Sequence, residues 1–139
     1  MSFFKIFDVA GSALNAQTVR LNTMSSNLAN AETASATAEG AYRARHPVFA
    51  SVMASTGDMA DPGNVGVRVA GVVESQAEVR VEYRPDHPLA DEKGYVFLSN
   101  VNTMEEMADM ISASRSYQTN VEVINTAKQL MLRTLELGK

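Results

Sequence analysis

A helical pattern at the C-terminus, too long to be buried inside one small domain, constrains this chain most. Met104, Met107, Ile111, Ser114, Tyr117, Val121, Ile124, Met131 and Leu135 fall on one face at helical spacing. Lys128 interrupts that face, and Ala127 and Leu130 cover the gap. Asn102 or Thr103 can cap the start, with Glu105 or Glu106 placed for a reciprocal box. Both acids also suit the positive end of the helix dipole. Gly138 is a natural stop. A helix over 103–137 is roughly 50 Å long at ~1.5 Å per residue. Such a helix must lie along another helix.

The N-terminus offers one. Ser2 can cap a helix that begins at Phe3 or Phe4 and runs to about Asn30. Phe7, Leu14, Leu21 and Leu28 are spaced seven apart, and Ala10, Gln17 and Met24 fill the alternate positions. This is a heptad seam with one polar member, Gln17. Between Ser2 and Asn30 only Lys5, Asp8 and Arg20 carry charge. A lone surface helix shows a charged outer face. Neutral polar side chains are cheaper to desolvate when they find hydrogen bonds, so this helix is read as contacted on more than one side.

These two seams set the expected fold class. It is mainly α with a small β segment, the long terminal helices packed as a coiled-coil hairpin with short strands and a loop between. The expected division is an N-terminal assembly helix over 1–30, a loop and small β-containing middle over 31–101, and a C-terminal assembly helix over 102–139 forming one unit with the first. In the middle, residues 31–64 are rich in small residues and read as an extended or mobile loop. Within them, Pro47 breaks any helix, VFASVMAS fits a short strand or partly buried segment, and GDMADPGN is a turn cluster. Val65, Val67 and Val69 alternate with polar or small residues, as do Val79, Val81 and Tyr83. Both runs fit half-buried strands, and GYVFLS at 94–99 is a third short apolar run.

Chemistry is hard to find. With no cysteine, disulfides and thiolate metal sites are excluded. The net charge of −4 is mild, and Arg43, Arg45 and His46 form too small a basic spot for a nucleic-acid surface. His46 and His87 each lie beside a proline and match no metal spacing. Asp86 beside His87 fits a local turn, Ser112, Ser114 and Ser116 have no nearby histidine, and Gly63 and Gly66 form no phosphate loop. Asp58 and Asp61 lack calcium-loop spacing. No catalytic residue, metal or cofactor is therefore expected. The first residues are not a secretory leader by pattern, since Asp8, Ser12, Asn15 and Gln17 break the apolar run, and no stretch approaches a membrane span.

What remains is surface for packing. The expected assembly interface is Phe7, Leu14, Leu21, Met24 and Leu28 on the first helix and Met107, Ile111, Tyr117, Val121, Ile124, Met131 and Leu135 on the last. Asn27, Asn30, Asn120 and Asn125 are candidates for polar contacts that fix helix register. Two long seams leave more apolar surface than one helix pair can cover, and methionine-rich seams adapt to several neighbours. An open, repeating assembly with heterologous contacts follows.

SSNLANAET at 25–33, after ALNAQTVRLN at 13–22, resembles the N-terminal motif of flagellar axial proteins of the rod and hook. SRSYQTNVEVINTAK at 114–128 and HPLADEKGYV at 87–96 are similar to the proximal rod subunits of that family. The likeness covers roughly residues 3–48 and 86–138, with fewer Gly and Pro over 36–47 than the family's loop carries. It implies a structural subunit of the basal-body rod in the periplasmic space, with other rod proteins and copies of itself as partners. It also implies export through the flagellar type III apparatus without a cleaved leader. The alternatives are another axial protein or a secreted helical adaptor. In the expected mechanism the termini are mobile in the monomer and order on incorporation.

Overall fold

The computed structural model describes residues 3–53 and 65–138. Ser2 and the GDMADPGN cluster lie outside the described residues, so the cap at Ser2 and that turn are not placed. Helix α1 spans Phe3–Ala29, and helix α2 spans Thr103–Leu137. Between them run strands β1 (Ala34–Ser35), β2 (Arg45–Met53), β3 (Val65–Glu74), β4 (Arg80–Tyr83) and β5 (Tyr95–Leu98).

The strands form two antiparallel sheets. β2 and β3 pair from Arg45↔Glu74 to Met53↔Val65, with a bulge between Val48 and Phe49. β1, β5 and β4 make a three-stranded sheet with β5 in the centre. Pro47 sits inside β2, tolerated because β2 has a strand on one side only among the described residues. The β4–β5 turn closes on Gly94, at φ +83, whose carbonyl accepts from Arg84 N. A Cβ there would lie 2.8 Å from Tyr83 Cε2, so only glycine fits. Tyr83 and Tyr95 meet edge to face with centroids 5.3 Å apart.

This arrangement corrects the expected coiled-coil hairpin. α1 packs along α2 on one face and along β2 and β3 on another. Ser12 Oγ accepts from Val67 N at 3.1 Å, and a Cβ on Gly66 would approach that same oxygen at 3.2 Å. The apolar residues buried along the two helices are mostly small: Ala10 and Ala16, with Met24, on α1 and Ala113 and Ala127 on α2. Phe7, Leu14, Leu21 and Leu28 are only half-buried, and Met107 and Ile111 are exposed. A seven-residue apolar repeat reads alike for a helix in a two-strand coil and for one wedged between a helix and a sheet. The second contacted face inferred from the low charge of α1 exists, and the chain's own hairpin supplies it.

The pair is antiparallel. Arg20 meets Asp109 at 3.2 Å and Asn27 meets Glu106 at 2.9 Å, while Ile6 shares a groove with Thr126 and Leu130. α2 has 35 residues to the 27 of α1. Its last stretch, 131–137, therefore runs about two turns, or ~10 Å, past the start of α1. No helix among the described residues is long and apolar enough to cross a membrane.

The densest packing lies where the end of α1, the sheets and the start of α2 converge. Ala31, Ala44 and Val101 form a buried cluster with Tyr42 against it, and Val96, Leu98 and Ser99 of the β5 segment are buried. Long polar side chains donate to loop carbonyls there. Arg80 donates to the carbonyls of Ser99 and Ala31, Arg43 to those of Ser75 and Ala77, and Asn100 Nδ2 to that of Ala77.

Candidate assembly interface

The cap of α2 forms as the pattern requires, but with a different partner for its acid. Asn102 Oδ1 accepts from Met104 N at 3.2 Å. Glu106 does not reach back to the cap. It turns inward, is 4 % exposed, and its Oε1 accepts from Asn27 Nδ2 at 2.9 Å.

Asn27 is wholly buried and uses its full hydrogen-bonding capacity. Nδ2 also donates to the Arg45 carbonyl at 2.8 Å. Oδ1 accepts from Arg45 N and from the Tyr42 hydroxyl, both at 2.9 Å. The Tyr42 hydroxyl further meets Ser26 Oγ, and the Arg45 guanidinium lies over the Tyr42 ring, 5.6 Å from its centroid. One side chain thus joins α1, β2, α2 and the segment before β2.

The other candidate register residues behave differently. Asn30 Nδ2 donates to the Ser26 carbonyl and Asn120 Nδ2 to the Ser116 carbonyl, each within its own chain turn, and Asn125 is exposed. Tyr42, Arg45 and Ser12 were not singled out by periodicity. Glu106 carried a signal: Glu106, Ala113, Asn120 and Ala127 stand seven apart, so the acid shares a line with two alanines that end up buried.

The candidate apolar residues divide into two groups. Met24 is buried, and Phe7, Leu14, Leu21, Leu28, Val121, Ile124 and Met131 are half-buried. Met107, Ile111, Tyr117 and Leu135 lie exposed, Ile111 at 56 % and Leu135 at 64 %. Met104 joins Met107 and Ile111 in a strip roughly 100–180° around α2 from the buried Glu106 and Ala113. Leu132, Leu135 and Leu137 are exposed on the part of α2 that passes α1. An open groove of about 360 Å³ runs along the helix pair, lined by Ile6, Thr119, Glu122, Val123, Thr126, Ala127 and Leu130. Val48, Phe49, Val52, Val72 and Val73 add exposed apolar surface on the β2–β3 hairpin. Large exposed apolar patches mark protein contacts, and these residues are the candidates for them.

No cluster of metal-ligating side chains occurs among the described residues. His87 Nδ1 accepts from Leu89 N in a tight turn.

Comparison with known proteins gives two family matches. Residues 7–37 match the flagella basal body rod protein family, and residues 92–137 match the C-terminal family of flagellar basal body rod FlgEFG proteins. Full-length relatives carry the name flagellar basal-body rod protein FlgC. That of Escherichia coli O157:H7 is 51 % identical over 142 residues, covering all of both chains. That of Salmonella typhimurium is 50 % identical over 139 residues, again covering all of both. The Borreliella burgdorferi protein is 38 % identical, covering 99 % of this chain and 98 % of its own.

Proposed function

The chain belongs to the FlgC family of flagellar basal-body rod proteins, and from that premise we propose that its exposed helical strips are the surfaces by which it builds the proximal rod. It is a structural subunit of the basal-body rod, and the family is not one of enzymes. Its partners are other rod proteins. Copies of itself complete the helical array, and the flagellar type III export apparatus delivers the chain.

One observation carries the interface: apolar side chains on α2 that the chain's own fold leaves uncovered, Met104, Met107 and Ile111 near its start and Leu132, Leu135 and Leu137 at its end. Covering a leucine-sized side chain contributes roughly 1.5–3 kcal/mol. Several per subunit, repeated through an array, offset the entropy of ordering the helix ends. A cylinder so held transmits torque to the hook because each helix is gripped on several sides. Phe7, Leu14, Leu21, Leu28, Val121, Ile124 and Met131, half-buried in the single chain, are the flanks that neighbours finish covering.

Ile111→Asp and Leu135→Asp test this. Both sites are exposed, so the isolated fold tolerates the charge. Export into the medium is expected to continue, while the amount in purified basal bodies falls by more than about tenfold, the ~1.4 kcal/mol scale of one lost apolar contact. Incorporation at the wild-type level would refute the interface.

A further inference from the structure

The junction around Asn27 is more than core filling. Its side chain is fully buried, and four hydrogen bonds of 2.8–2.9 Å tie it to Arg45, Tyr42 and Glu106. The partners sit on different elements: the backbone of β2, the segment before it, and the first turn of α2. An apolar residue of similar size would strand the Arg45 N–H and carbonyl and the Glu106 carboxylate without partners. Glu106 is equally unusual. Its second oxygen, Oε2, has no hydrogen-bond partner although it is buried. A carboxylate is expensive to bury, and a glutamate held there for stability alone would be a poor choice.

We propose that Asn27 is the positioning residue that sets the β2–β3 hairpin and α2 at a fixed angle on the end of α1, with Glu106 as its directional partner, so that the assembly surfaces of each subunit match those of its neighbours. This rests on the rod-assembly reading above. The amide is suited to the task because it is two-sided. Its oxygen accepts from β2 while its nitrogen donates to β2 and α2, so the three elements lock in a single relative arrangement. Arg80, which joins the Ala31 and Ser99 carbonyls, holds the neighbouring sheet but does not reach α2.

The test inverts the polarity of the contact. Asn27→Asp places two buried carboxyl groups where one hydrogen bond of 2.9 Å now runs. Like charges at that distance cannot both ionise. In the double variant Asn27→Asp, Glu106→Gln, the amide introduced on α2 can donate to the carboxylate introduced on α1 and remake that bond in reverse, while the Arg45 carbonyl still loses its donor. Each variant is expressed in cells lacking the wild-type chain, and the amount in isolated basal bodies is divided by the amount exported. Asn27→Asp is expected to lower this ratio by more than about tenfold at neutral pH. Glu106→Gln, which keeps an acceptor for Asn27, is expected to stay within about threefold of wild type, and the double variant to recover part of the loss, the share that belongs to the α1–α2 bond and not to the Arg45 carbonyl. A wild-type ratio for Asn27→Asp overturns the proposal, as does a double variant no better than the single. Absence of the wild-type chain from basal bodies would instead sink the rod reading itself.

Discussion

Glu106 has one carboxylate oxygen bonded and the other bare, and burial pushes its pKa above the ordinary 4.5. The Asn27 hydrogen bond and the charge of His46 oppose that shift, and Asp109 and Glu105 reinforce it. The folded chain therefore holds this proton more tightly than the unfolded chain does. The resulting stabilisation is complete below pH 4.5 and is lost as pH rises through the folded pKa. Glu106→Gln is expected to flatten this slope and to raise stability at neutral pH, measured by urea denaturation between pH 4.5 and 7. A slope unchanged from wild type would show that Glu106 is not its source. The sequence pattern offers Glu105 or Glu106 for the cap because an acid three residues past a capping side chain commonly serves there. That local rule is blind to Asn27, 79 residues away, which wins the carboxylate by drawing it into a buried site.

At the scale of elements, the helices were legible and their packing was not. The 3.6-residue period fixes where a helix runs, and α1 and α2 lie where it places them. It does not say which neighbour covers which face. Leu14 and Leu21 look like seam residues, yet they stay half-buried while Ala10, Ala16, Ala113 and Ala127 are buried. Alternation likewise located β3 and β4, while Val81 and Tyr83 turned out exposed and the buried residues of their sheet are Val96 and Leu98 on β5. Burial of the alanines makes a sharp prediction. Ala113→Leu adds volume at a position with no exposed surface, and overpacking is expected to destabilise the chain by about 1–3 kcal/mol. Denaturant midpoints check this, with Ser112→Leu, at an exposed neighbouring site, expected to change stability by less than about 0.5 kcal/mol.

At the scale of the whole molecule, most polar contacts gather at one end, and the opposite end is two helices and then one. Hydrogen exchange should follow that gradient. In the free chain, amides near Asn27 and Val96 are expected to be best protected and those of 131–137 to exchange fastest. Protection over 131–137 is expected to rise at least about tenfold in assembled rods. Equal protection in both states would mean that the end of α2 gains no cover. The unequal lengths of α1 and α2 also determine what kind of joint such a unit can make. Because its termini are not flush, a stack of these subunits has no flat plane along which it can part. In the array proposed above, each projecting tip would seat beside the next unit up or down the axis, so a twisting load would meet a stepped, interlocked boundary that yields only if many side chains shear past one another together.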